Sequence, residues 1–280
     1  MSGILWIASY PKSGNTWFRA FLENLRRDAG QPVDINDFQS VPANRRRMFD
    51  DATGVESTDL TAEEIAHLRP RVYRYIAENS PETVFLKIHD AYTELPGGGP
   101  LIPPDATVGA VYIIRNPLDV AISLSHHVGK PLDLKIASMA SSDSGVSSEV
   151  PDEHLDHQFL SWSEHVLSWV DQQAFPVHVI RYEDMQERPF ETFTAAARFC
   201  GLPCDPDRVQ RAIHHSSFET LEKQERESGF RERPATAASF FRQGKAGAWR
   251  EVLSPSQVAL IVEAHGTVMR RFGYLPFCVP

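Results

Sequence analysis

Four short apolar runs constrain this chain most: Ile4–Ser9 (ILWIAS), Val84–Ile88 (VFLKI), Val111–Arg115 (VYIIR) and Val177–Arg181 (VHVIR). Each is rich in β-branched or large apolar residues and lacks polar alternation, which predicts strands buried on both faces, as in a parallel sheet. Helical patterns lie between them. From Trp17 to Asp28, residues Trp17, Phe18, Phe21, Leu22 and Leu25 share one face, and Gly30 is the expected stop. A second helix is expected from Asn116-Pro117, an N-cap and N1 pair, with Val120, Ala121 and Leu124 on one side. A third runs from Ser254-Pro255 to Arg271. Strands alternating with helices imply an α/β fold: a central parallel sheet flanked by helices, with ligands at the carboxyl ends of the strands.

The chemistry-bearing residues fall at those ends. After the first run comes Tyr10-Pro11-Lys12-Ser13-Gly14-Asn15-Thr16-Trp17 and then a helix. Strand, small-residue loop, helix is the arrangement of a phosphate cradle, because free amides and the positive helix end face the anion. Gly14 allows close approach of the backbone; Ser13, Asn15 and Thr16 add donors; Lys12 adds a point charge. The lysine precedes the glycine, so this is not the GxxxxGK[ST] loop of P-loop nucleotidases. A plain βα turn with a solvated lysine is the competing interpretation. At the third run, Arg115 closes the strand and Ser123 lies eight residues on, in the next helix. A guanidinium and a hydroxyl there suit a second phosphate, the alternative being an Arg115–Asp119 ion pair. Two separated anion sites suit a nucleotide with 5′ and 3′ anions better than one polyphosphate track. In the second run, Lys87 and His89 are two apart and share a strand face, so both are expected at the site.

These motifs resemble those of sulfotransferases that use 3′-phosphoadenosine 5′-phosphosulfate (PAPS). YPKSGNTW is similar to the family's 5′-phosphosulfate loop YPKSGTTW, with Asn15 in place of threonine and expected to keep donating to the ligand. VYIIRNPLDVAISLS resembles the 3′-phosphate segment YxxRNPxDVxxS, which implies Arg115 and Ser123 as ligands. Arg181–Met185 (RYEDM) implies Tyr182 at the adenine end. Ser216-Ser217-Phe218 resembles [TS]SF and implies Ser217 and Phe218 near adenine and phosphate. Phe241–Arg250 (FRQGKAGAWR) resembles RKGxxGDWK and implies Arg242, Gln243 and Gly244 at the 3′-phosphate. Gln243 replaces a lysine, lowering local charge and implying weaker PAPS binding. Lys87-Ile88-His89 resembles KTH, which implies His89 as catalytic base with Lys87 in support.

The resemblance implies a P-loop-like sulfotransferase fold and in-line transfer of a sulfuryl group from PAPS to a hydroxyl or amine, leaving 3′-phosphoadenosine 5′-phosphate (PAP), without a metal. Neutral His89 takes the acceptor proton, Lys12 meets the leaving-group charge, Lys87 the sulfuryl oxygens, and Ser123 holds Lys12 beforehand. Alternatives are a P-loop-type small-molecule kinase and a non-catalytic nucleotide-binding module. The former needs a Walker lysine and a magnesium carboxylate that the sequence does not offer.

The remaining features bound rather than decide. Net charge is −9, against general affinity for nucleic acid. Three cysteines, Cys200, Cys204 and Cys278, form no disulfide or zinc pattern. His154 and His157 have no second ligand cluster beside them, and no metal is expected. No signal peptide or apolar run of about 20 residues is seen, so a cytoplasmic protein without membrane contact is expected. One domain over residues 1–280 is predicted, with 31–80 as helices and loops over the site and the Ser-rich stretch 138–149 as a mobile loop. The acceptor is expected to be a small-molecule alcohol or phenol, with walls from 38–49, 90–92, the Ser-rich loop and Phe240. The dimerisation segment KxxxTVxxxE is not evident after Trp249, and no oligomeric state is assigned.

Overall fold

All six residues of the first strand, β1 (Ile4–Ser9), are buried, and their alternation builds two cores. Ile4, Trp6 and Ala8 face one side with Tyr73, Tyr112, Trp162 and Trp169; Leu5 and Ile7 face the other with Phe18, Phe21, Val111 and Phe193. Burying apolar side chains of this size is worth ~1.5–3 kcal/mol each, so each face holds a helical layer against the sheet. This computed structural model describes residues 2–146, 153–242 and 244–275.

In chain order the elements are β1, α1 (Asn15–Arg27), α2 (Arg46–Thr53), α3 (Ala62–Glu78), β2 (Val84–Ile88), β3 (Thr107–Ile114), α4 (Pro117–Val128), α5 (Leu132–Met139), β4 (Gly145–Val146), β5 (His157–Gln158), α6 (Trp162–Val170), β6 (Val177–Arg181), α7 (Tyr182–Glu187), α8 (Pro189–Phe199), α9 (Pro206–His215), α10 (Phe218–Ser228), α11 (Trp249–Val252) and α12 (Pro255–Arg271). The sheet order is β2-β1-β3-β6, all parallel, so the predicted α/β architecture stands. β1 is central, and Ala8 pairs with Ile88 and Tyr112. Its carboxyl end therefore lies between the ends of β2 and β3, where Lys12, His89 and Arg115 follow.

Three of the four expected strands keep their predicted bounds. The third starts earlier, at Thr107, and stops at Ile114, because Gly109 and Ala110 have too little apolar bulk to read as strand. α1 begins at Asn15 and ends on Asp28, which takes the left-handed cap conformation (φ 46°) ahead of Gly30. Asn116 caps α4 by accepting from Leu118 N, and Ser254 with Gln257 forms a capping box on α12. The chain before α2 covers the open edge of β2: Lys87 N donates to Val41 O and Ala43 N to Lys87 O. The Ser-rich stretch differs from the expected loop. Residues 138 and 139 end α5, Ser144 is buried and its carbonyl accepts from Phe159 N and Leu160 N, and β4 pairs with β5. Residues 147–149 of that expectation lie outside the described residues. Among the described residues no helix is long and apolar enough to cross a membrane.

Candidate active site

A cavity of about 330 Å³ opens at the carboxyl ends of β1, β2 and β3. Its lining includes Lys12, Gly14, Asn15, Thr16, Trp17, Lys87, His89, Arg115, Ser123, Tyr182, Phe218, Arg242 and Gly244. The topology thus gathers residues from six separate sequence segments into one space. Ser13 and Ser217 are not on it, and Gln243 lies outside the described residues.

The loop after β1 is shaped by two left-handed residues, Lys12 (φ 67°) and Gly14 (φ 103°). At Gly14 a Cβ would stand 2.6 Å from the Tyr182 ring, so only glycine fits. No side chain caps α1, which leaves its first-turn amides without an internal partner. Ser13 Oγ is buried and has no hydrogen-bond partner. The side-chain Nδ2 of Asn15 donates to Ile7 O (2.9 Å) and Ser9 Oγ (3.3 Å), so this amide group locks the loop to β1. An asparagine reaches back where a threonine is too short.

Arg115 donates to Lys12 O (3.0 Å) and Lys245 O (3.2 Å), and its guanidinium lies 4.2 Å from the Tyr182 ring centroid. Its Nε is buried without a partner. The alternative pairing with Asp119 is not made: Asp119 accepts from Gly247 N (2.7 Å) and Trp249 N (3.1 Å). Gln186, which sequence patterns did not single out, clamps the same segment by donating to Gly244 O and accepting from Ala246 N (3.0 Å). Gly244 (φ 60°) sits against Phe218, where a Cβ would come within 2.3 Å of the ring. Ser217 serves this packing indirectly; its hydroxyl accepts from Thr220 N and caps α10, and so positions Phe218.

His89 follows β2, and its Nδ1 lies 2.8 Å from Ser9 O. A carbonyl only accepts, so Nδ1 carries the proton and Nε2 keeps a free lone pair. Burial, then Lys87 and His157, pushes its pKa well below the usual imidazole value, so the ring is neutral. Asp90, expected among the pocket walls, instead turns inward: Arg69 donates to both its carboxylate oxygens (3.0 and 2.7 Å), and His157 Nδ1 stands 2.9 Å away.

Lys12 Nζ lies 3.3 Å from His127 Nδ1 and 4.0 Å from the Phe240 ring centroid, so the expected hold by Ser123 is taken by His127. Burial, with Lys87 and Arg115 adding like charge, lowers Lys12 to about 7. Lys87 Nζ makes an ion pair with Glu232 (2.8 Å), which also pairs with Arg19 (2.8 Å). Neither His127 nor Glu232 stands in a recognisable motif. Glu232 lies in the charged run Glu225–Arg233 (ERESGFRER), where one carboxylate looks like any other.

The cavity therefore joins an anion cradle, a neutral imidazole and several cations, flanked by the apolar surfaces of Leu124, Val128, Phe159 and Phe240. Among the described residues no cluster of three metal-ligating side chains occurs. Similarity to known proteins runs over most of this chain and about four fifths of each relative. A dog sulfotransferase 1B1 is 25% identical over 259 residues, covering 90% of this chain and 78% of its own. A flavonol 3-sulfotransferase of Flaveria bidentis is 25% identical over 278 residues, covering 92% and 78%. In fold, a mouse sulfotransferase, SULT7A1, complexed with PAP superposes with a TM-score of 0.64 at 19% identity, over 98% of this chain and 89% of that one. A retinol dehydratase complexed with androsterone and PAP gives 0.63 at 19% identity, over 95% and 80%. The model of the sulfotransferase domain matches residues 3–273, so nearly the whole chain belongs to the sulfotransferase family.

Proposed function

We propose that this cavity binds PAPS and moves its sulfuryl group to a hydroxyl of a small-molecule acceptor, with His89 as general base. The observation that carries the reading is the meeting of Lys12, Lys87, His89 and Arg115 on one cavity. The residues fit an anionic nucleotide: Arg115 on the cavity has a buried Nε without a partner, and the α1 N-terminus has no side-chain cap. PAPS supplies, when bound, a sulfuryl group activated by its phosphate leaving group.

The protein's own residues then divide the work. The loop Lys12–Trp17 holds the 5′ end, while Arg115, Ser123, Arg242 and the chain at Gly244 hold the 3′-phosphate; Gln243 belongs to this set by family resemblance. Tyr182 and Phe218 offer ring faces to the base. His89 Nε2 receives the acceptor proton, and its Nδ1–H bond to Ser9 O fixes the ring for that role. Lys12 and Lys87 offer positive charge where negative charge grows. Leu124, Phe159 and Phe240 exclude water and favour an acceptor with an apolar body. Such acceptors agree with a relative named for a flavonol and a neighbour complexed with androsterone. The family match leaves little support for the kinase alternative, and the presence of both lysines and His89 argues against a non-catalytic module.

Calorimetric titration of PAP, beside ATP and 5′-AMP, tests the nucleotide. The bisphosphate should bind tightly and the others weakly, and Arg115→Ala should abolish the preference; preference for ATP, or no effect of Arg115→Ala, would overturn the reading. His89→Ala should lower kcat by about 10²–10⁴ with labelled PAPS; near-full turnover would remove His89 as the base.

A further inference from the structure

Lys87 projects from an edge strand into a cavity rich in positive charge. Arg19, Arg45 and Lys12 act on it or are acted on by it, and so do the imidazoles of His89, His127 and His154. Burial disfavours its ammonium form as well. A lysine so placed loses its proton near neutral pH unless a carboxylate opposes the trend. Among the described residues, the carboxylate in ion-pair reach is Glu232.

Glu232 is itself held from behind. Arg19 is buried (side chain 2% exposed), donates to Ser40 Oγ (3.3 Å), lies 5.1 Å from the Phe38 ring centroid, and pairs with Glu232 at 2.8 Å. Burial alone would raise the Glu232 carboxyl, but Lys87 and Arg19 outweigh it and keep it ionised. One oxygen of Glu232 stands 2.8 Å from Lys87 Nζ and lines the same cavity as His89. Arg19 thus fixes a carboxylate, and that carboxylate fixes an ammonium two residues from the imidazole.

We propose that Glu232 is a positioning residue for the transfer: it keeps the Lys87 ammonium charged and aimed into the cavity. This rests on the reading of Lys87 as the cation that meets the transferred group. Glu232 touches neither that group nor the acceptor proton; it acts through Lys87. A purely structural Arg19–Glu232 pair would support folding and leave the titration of Lys87 alone.

The test is competitive labelling of the unliganded chain with acetic anhydride across pH, with peptide mass spectrometry reading the titration midpoints of Lys87 and Lys12. In the unaltered protein Lys87 should titrate above Lys12, which has no carboxylate in ion-pair reach among the described residues and only the more distant Glu225 acting on it. Glu232→Gln should lower the Lys87 midpoint by about one unit or more, roughly a tenfold rise in the unprotonated fraction at a given pH. Glu232→Asp should restore most of it. The kcat of Glu232→Gln should fall about tenfold at pH 7.5, its alkaline limb moving to lower pH, while PAP affinity stays within about threefold. A Lys87 midpoint below that of Lys12, or one unmoved by Glu232→Gln, would overturn the inference. The order of midpoints in the unaltered protein decides the matter even if Glu232→Gln fails to fold. Failure of PAP to bind the unaltered protein would instead sink the PAPS reading, leaving the Lys87 titration as a separate result.

Discussion

Lys12 and Lys87 line the same cavity under opposite electrostatic arrangements. Lys87 stands on a regular strand and shares a proton-holding ion pair with Glu232 at 2.8 Å. Lys12 stands in a left-handed turn, has a neutral imidazole and an aromatic face as its neighbours, and is lowered to about 7 by burial and by Lys87 and Arg115. The same residue type thereby serves two ends. A lysine with a resident carboxylate has part of the cost of its burial offset before any ligand arrives, although burial still leaves Lys87 below the usual lysine value. A lysine without one gains its charge when an anion arrives, because the anion replaces the missing partner. His127 is suited to wait beside it: burial and Lys12 push that imidazole to about 3, so it accepts a hydrogen bond and adds no repulsion.

Substitution should separate the two lysines. Lys12→Met removes the cation that the proposed mechanism assigns to the leaving-group end and should cost about 10²–10³ in kcat. It should also weaken PAP by about tenfold, since PAP carries the 5′-phosphate that the loop would hold. Lys87→Met should lower kcat as well, yet leave PAP affinity within about threefold, because PAP lacks the sulfuryl group. Steady-state kinetics and PAP calorimetry on the two variants check this. Equal losses of PAP affinity would break the contrast and place both lysines on the 5′ end.

The two surroundings were unequally legible in the sequence. The loop around Lys12 is a local structure, strand then turn then helix within eight residues, and its left-handed glycine and donor side chains can be read directly. The pairing of Lys87 with His89 follows from the two-residue period of a strand. What surrounds them could not be read. Glu232 lies 145 residues from Lys87 and 213 from Arg19, so only the packed topology brings them together. Gln186 clamps a segment 58 residues on, and its neighbourhood in the sequence marks a nucleotide contact, not a brace. The side-chain bonds that Asn15 and Ser217 make could not be read for a related reason. Short polar side chains bond their own backbone as readily as a ligand, and which they choose depends on whether the neighbouring strand or helix end needs them. In Asn15 the strand wins, and in Ser217 the helix cap wins. The fold was legible because buried parallel strands need no partner to identify them; β3 was short at its start because Gly109 and Ala110 weaken that signal.

The finest difference between the lysines lies in pH. Lys12 in the free protein is lowered to about 7, so below that pH it already carries its proton and contributes no pH dependence of its own to PAP affinity. Above it the free lysine is neutral, while a bound anion raises its pKa. Binding must then take up a proton, and affinity should fall by up to tenfold per pH unit until the pKa of the complex is passed. The second ionisation of the phosphates, near 6, is complete in this range and does not add to the slope. Titrations at pH 7.5, 8.0 and 8.5 in buffers of different ionisation enthalpy read both affinity and protons taken up. The unaltered protein should approach one proton per PAP at the highest pH. Lys12→Met should show a flat profile, whereas Lys87→Met should keep a slope whose onset moves to higher pH, since Lys87 is one of the charges that lower Lys12. A slope that survives Lys12→Met and vanishes in Lys87→Met would reverse the assignment and make Lys87 the lysine that the ligand charges.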